Sequence, residues 1–157
     1  MNEARATQTR SVFGMVCCVK VRVLASAPRI WSLLTDAGGF PRWNSTVTSI
    51  EGQIREGERL CIRVPGSDRT FTPKVSGVVP NQRMTWAGGL AGIFKGARLF
   101  TLAELDDGST DFAMQENFSG FLLPIVGRWL PDFRPIFERY ATDLKREAER
   151  VPRNAPN

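Results

Sequence analysis

The sequence predicts an α+β domain in which one antiparallel sheet packs on a single long C-terminal helix. Three patterns predict it: a period-2 apolar run beginning at Gly14, strand-like segments punctuated by turn residues from Val47 to Phe118, and an apolar stripe at helical spacing after Phe133. At 157 residues the chain fits one domain, and a domain of that size buries roughly 70% of the surface its unfolded chain exposes. Its 42% hydrophobic and 24% charged residues lie in the ordinary globular range.

The segment from Gly14 to Ala25 alternates Met15, Cys17, Val19, Val21 and Val23 with Val16, Cys18, Lys20 and Arg22, which makes it a strand with one apolar face. Ser26 and Pro28 read as the cap and first turn of a short helix to Thr35, with Ile30, Trp31 and Leu34 inward. After the break at Asp36, Gly38 and Gly39, a second helical turn is expected over Phe40 to Trp43. Strands are then expected at 47–52, 58–64, 71–79 and 83–88. The turn chemistry between them, Glu56-Gly57, Pro65-Gly66-Ser67-Asp68 and Pro80-Asn81, favours hairpins over parallel crossovers.

The last hairpin joins Ala97–Leu105 to Thr110–Phe118 through Asp106-Asp107-Gly108. Placing Leu102 opposite Phe112 puts Phe100 opposite Met114 and Arg98 opposite Glu116, all on one face by parity. Beyond it, Phe133, Phe137, Tyr140, Leu144 and Ala148 form the apolar stripe of a helix whose clean start falls near Asp132, because Pro131 and Pro135 disrupt anything earlier. Residues 1–12 are expected as a flexible N-terminus, 13–151 as one domain and 152–157 as a flexible tail.

The chain has no histidine, which excludes His-based nucleophilic systems and His-ligated zinc. Cys17, Cys18 and Cys61 lack metal-ligand spacing, so neither a metal nor a cofactor is expected. The longest apolar stretch, Phe118 to Leu130, is interrupted by Gly120, Pro124, Gly127 and Arg128 and is too short to span a bilayer. No secretory signal is evident at the N-terminus, so a cytoplasmic location is expected. The net charge of +5 is scattered rather than clustered, which argues against a nucleic-acid partner. Monomer and homodimer are both compatible with the sequence.

The run Ala27-Pro28-Arg29-Ile30-Trp31-Ser32-Leu33-Leu34-Thr35-Asp36, followed by Phe40-Pro41-Arg42-Trp43-Asn44, resembles the opening of the START-like helix-grip (SRPBCC) superfamily in its polyketide cyclase/dehydrase-like branch. Val75 to Trp86, Phe100-Thr101-Leu102, Asp107-Gly108-Ser109-Thr110 and Glu116-Asn117-Phe118-Ser119-Gly120 keep that family's later order, so the resemblance covers about residues 13 to 150. It implies a curved antiparallel sheet of six to seven strands around the C-terminal helix, with a cavity beneath two short helices. Pro131 and Pro135 depart from the family's long unbroken helix, which implies a reshaped mouth. The superfamily holds carriers, receptors and enzymes, so fold alone does not choose among them.

Residues placed to line such a cavity are Phe40, Trp43, Trp86, Arg98, Phe100, Met114, Glu116, Phe118, Phe121, Leu122, Trp129, Phe133, Phe137 and Tyr140. For each aromatic the competing role is plain core packing. Arg98 and Glu116 form either an internal ion pair or a donor–acceptor pair that orients a carboxylate, phenol or ketone. Tyr140 is a further hydrogen-bonding or acid candidate. The reading that follows is binding or transport of an apolar or aromatic small molecule such as a lipid, a sterol-like compound or a polyketide. The alternatives are a cofactor-independent cyclase, aromatase or dehydratase using Arg98, Glu116 or Tyr140, and a membrane or protein adaptor acting through residues 118–130, which otherwise serve as a lid.

Overall fold

The computed structural model describes residues 3–90, 93–126, 128 and 130–150. Among them, strands β1 (Arg5–Arg10), β2 (Gly14–Val23), β6 (Lys74–Val79), β7 (Arg83–Leu90), β8 (Phe94–Glu104) and β9 (Thr110–Ser119) form an antiparallel sheet in the order β1-β2-β9-β8-β7-β6. Three short strands, β3 (Ser49–Glu51), β4 (Cys61–Arg63) and β5 (Thr70–Phe71), make a second sheet. Helices α1 (Ala27–Thr35) and α2 (Phe40–Trp43) follow β2, α3 (Leu123–Val126) follows β9, and α4 (Arg134–Ala148) closes the fold.

The large sheet forms because its strands alternate as the sequence requires. In β2, Met15, Cys17, Val19, Val21 and Val23 are buried while their neighbours are not, and the buried set faces α4. Phe137, Tyr140, Ala141, Leu144 and Ala148 supply the matching stripe on α4. Its 15 residues span about 22 Å at the usual helical rise. Ser26 caps α1 by accepting from Arg29 N at 3.4 Å. The Arg29 guanidinium in turn donates to the carbonyls of Glu147 and Ala148 in the last turn of α4, the first of which also accepts from Arg150 N.

The expectation of a flexible N-terminus over 1–12 is corrected at Arg5–Arg10, which form a strand. Arg5–Arg10 pairs along its whole length with Met15–Lys20. The polar sequence concealed the strand because an edge strand needs a ladder on one side only. Its other edge is covered by polar contacts rather than apolar ones: Ala6 N donates to Glu138 Oε1, Phe133 N donates to Gln8 Oε1, and Arg10 donates to the Leu130 carbonyl.

The strand expected over 71–79 is divided, because Pro73 has no N–H for a continuous ladder. The two halves belong to different sheets, joined where Leu60 N donates to the Pro73 carbonyl and Val75 N to the Glu58 carbonyl. Helix α4 begins at Arg134, two residues after the expected start, with Pro135 in its first turn. The expected tail at 152–157, like Val151, lies outside the described residues.

Candidate functional site

The β8–β9 register is Arg98 opposite Glu116, Phe100 opposite Met114 and Leu102 opposite Phe112, as parity requires. Neighbouring registers extend the first pair into a row across the sheet: Cys17, Glu116, Arg98, Trp86 and Val75. Within this row Arg98 Nη2 and Nε both donate to Glu116 Oε2, at 2.6 and 2.7 Å. The guanidinium carbon lies 5.2 Å from the centre of the Phe137 ring and 5.9 Å from that of Tyr140, so the charge sits between sheet and α4 over two π faces.

This pair is not sealed. The Arg98 and Glu116 side chains keep 25% and 16% of their surface exposed, so solvent reaches the inner face here. The next row lies toward the end of the sheet. It consists of Met15, Phe118, Gly96 and Gly88, and the two glycines leave those inner positions without side chains. A Cβ on Gly96 would stand 3.4 Å from Glu116 Oε1 and 3.5 Å from the Phe118 ring. Phe94, Phe118 and Phe133 flank the opening as a stack, with centroids 6.0 and 5.2 Å apart.

Deeper in, Phe40, Trp43, Trp86, Phe100 and Tyr140 are all buried and touch one another. Phe40 and Trp43 lie 4.7 Å apart between centroids, Trp86 and Phe100 4.8 Å, and Trp43 and Tyr140 6.1 Å. The space expected to be hollow beneath α1 and α2 is therefore occupied by these rings. The expectation of an open internal cavity is corrected: aromatic rings fill that space, and beside them the Arg98 and Glu116 side chains stay partly exposed. The cause is that α2, only one turn long, drops Phe40 and Trp43 directly onto α4 and the sheet.

The plug and neighbouring Asn44 carry polar atoms. Trp43 Nε1, Trp86 Nε1, Tyr140 Oη and Asn44 Nδ2 are buried and have no hydrogen-bond partner among the described residues. An unpartnered buried group of this kind costs about 1–3 kcal/mol. Burial pushes the Tyr140 phenol well above its ordinary range, against the pull of nearby Arg98, so it stays protonated as a donor. Burial opposes the charge on Arg98, but Glu116, Tyr140 and the hydrogen bond to Glu116 raise its pKa above the ordinary value. Burial, together with Asp132, Cys18 and Glu116, raises the Cys17 thiol to about 11, which makes it a poor nucleophile.

Of the residues expected at the site, Phe40, Trp43, Trp86, Arg98, Phe100, Met114, Glu116, Phe118, Phe133, Phe137 and Tyr140 share the space between sheet and α4. Phe121 and Leu122 do not; they are 77% and 40% exposed and face outward, which contradicts a buried lid at those two positions. Trp129 lies outside the described residues. Sequence reasoning missed Gly88 and Gly96, although their parity with Trp86 and Arg98 was readable. It also missed Asp143, a buried carboxylate on α4 that accepts from Ser45 N and Oγ at 2.8 and 2.6 Å and fixes the exit of α2.

A six-stranded antiparallel sheet closed by a C-terminal helix, with two short helices after the long second strand, defines a START-like helix-grip protein. The sequence profile of the family described as polyketide cyclase/dehydrase and lipid transport matches residues 17–151, and the chain belongs to that family. Solved structures share the fold at low identity. A START superfamily protein from Mycobacterium smegmatis is 19% identical, with a TM-score of 0.63 over 85% of this chain and 97% of that one. CalU16 from Micromonospora echinospora is 17% identical, with a TM-score of 0.61 over 93% and 84%. EF2215, a conserved protein of unknown function from Enterococcus faecalis, is 16% identical, with a TM-score of 0.67 over 96% and 80%. No curated protein matches the sequence.

Proposed function

We propose that the protein binds an apolar or aromatic small molecule bearing a hydrogen-bond acceptor, such as a polyketide, a sterol-like compound or a lipid, in a slot beneath α4. The observation that carries this reading is the Arg98–Glu116 pair: charged, inward-facing, sandwiched against Phe137 and Tyr140, and still reached by solvent. Its partial exposure leaves the pair within reach of a ligand's polar group. The donor excess supports the same ligand class. Arg98, Tyr140, Trp43 and Trp86 all offer N–H or O–H groups, three of them without partners, and a ketone, phenolate or carboxylate inserted between the rings would satisfy them.

Burying about 200 to 300 Å² of ligand would supply about 5 to 7 kcal/mol before the costs of association. The free cysteines at 17, 18 and 61 suit the reducing conditions of a cytoplasmic location. The test is native mass spectrometry of freshly purified protein beside its Tyr140→Phe variant. The reading expects a co-purifying apolar compound whose occupancy falls about tenfold in the variant, the value of one lost hydrogen bond in a dry site. A compound-free protein that also fails to bind anthraquinone-2-carboxylate would defeat it.

One observation favours a second reading, a cofactor-independent cyclase or dehydratase. Glu116 is a carboxylate at the slot with protonated Tyr140 across from it, an acceptor and a donor within one site. That reading requires turnover of a polyketide substrate to fall at least about a hundredfold in Glu116→Gln, and unchanged turnover would remove it.

A further inference from the structure

Among the described residues nine large apolar side chains stand out as exposed, and six of them gather at one end of the sheet: Val12, Phe13, Ile93, Phe121, Leu122 and Ile125. They come from three separate stretches of chain, the turn between β1 and β2, the approach to β8, and the segment after β9. Contacts bind these stretches into one surface. The Phe13 and Phe121 rings meet edge to face at 6.4 Å, and Leu122 N donates to the Ile93 carbonyl. Gly120, at φ +135°, lies so close to Ile93 that a Cβ would stand 2.2 Å from its carbonyl oxygen. The rim is therefore built to hold its apolar side chains outward rather than to fold them over the slot.

The charge around this surface is positive. Arg10 and Arg128 line a surface pocket of about 230 Å³ together with Val12, Leu123 and Pro124. Lys95, opposite Ser119 where β9 ends, is exposed beside them. The nearby acid, Asp132, is paired with Arg134 at 2.8 Å, and its carboxyl is drawn below its ordinary range by Arg134 and also by Arg10. Two copies meeting face to face here would bring these cations together, so self-association is disfavoured. An anionic bilayer meets both requirements, taking the apolar side chains into its acyl boundary and its phosphates onto Arg128 and Lys95.

We infer that this end of the molecule docks reversibly on the surface of an anionic membrane. No helix among the described residues is long and apolar enough to cross one, so the attachment is peripheral. The inference uses only outward-facing residues and stands apart from the ligand reading. It does place the slot at the membrane, since Glu116 lies four strand residues before Gly120, about 13 Å from the rim.

The test is co-sedimentation of the full chain with phosphatidylcholine vesicles, with and without about one-third phosphatidylglycerol. The expected result is binding to the anionic vesicles about tenfold or more above the neutral ones, weakened by salt. Phe13→Ser combined with Phe121→Ser and Ile125→Ser should abolish it while leaving the circular dichroism spectrum and any co-purified ligand unchanged. Arg128→Glu should weaken it and flatten its salt dependence. Equal partition to both vesicle types, binding unaffected by the triple substitution, or a concentration-dependent dimer that the triple substitution dissociates would overturn the inference. A triple variant that keeps its ligand but leaves the vesicles separates docking from ligand binding.

Discussion

Replacing Arg98 by methionine would leave the Glu116 carboxylate beneath α4 without its partner. A fully buried pair would lose about 3–5 kcal/mol, but exposure of 25% and 16% at this pair screens the remaining charge and reduces the expected loss to about 1–3 kcal/mol. Urea unfolding of Arg98→Met should show that loss, and adding Glu116→Leu should restore part of it. Tyr140→Phe has the opposite sign. Its hydroxyl is buried and unpartnered, so removing it should raise the stability of the ligand-free protein by up to about 1 kcal/mol. A stability gain together with a binding loss distinguishes a ligand-directed hydroxyl from a structural one.

Cys17 sets an alkaline limit on stability. Between the ordinary thiol value of 9.0 and the raised value of about 11, the unfolded chain gives up this proton while the folded chain keeps it. Its contribution is therefore complete below pH 9.0 and is lost as pH rises through about 11. Tyr140, whose phenol is also raised by burial, extends the decline in the same direction. Urea midpoints measured across this range should fall with pH, and less steeply in Cys17→Ala.

At the scale of elements, the rim and the exit of α2 each depend on one residue. Gly120→Ala introduces a Cβ into the Ile93 carbonyl at a φ of +135°, and should cost at least about 2 kcal/mol in urea unfolding. Asp143→Ala frees Ser45 N and Oγ from their acceptor, an expected loss of about 1–3 kcal/mol. The elements differ in how far the sequence revealed them. The β8–β9 hairpin was legible to the register, because a tight Asp-Gly turn and alternating side chains leave one pairing that buries Phe100, Leu102, Phe112 and Met114 together. Strand β1 was not, because Arg5–Arg10 is held by its backbone and by Glu138, residues that no periodicity in its own sequence announces. The site divides in the same way. Arg98 beside Glu116 followed from parity, whereas the aromatic plug depends on how closely α2 approaches α4, a tertiary distance that spacing along the chain does not encode.

For the whole molecule, the fold resolves into a gradient along one axis. Near the C-terminus of α4 the interior is sealed, with Val23, Leu34, Leu144 and Ala148 at or below 4% exposure. Midway stand the aromatic plug and its unpartnered donors, beyond them the partly exposed Arg98–Glu116 pair, and at the end an apolar, basic rim. This order suits a protein that takes a poorly soluble molecule in at one end and holds it by its polar group. The most direct test is an NMR titration with anthraquinone-2-carboxylate that follows the Trp43 and Trp86 indole N–H resonances. The account predicts saturable downfield shifts of both as the unpartnered donors gain an acceptor, lost in Arg98→Met; indole resonances that stay fixed while the compound binds elsewhere, or does not bind, would contradict it.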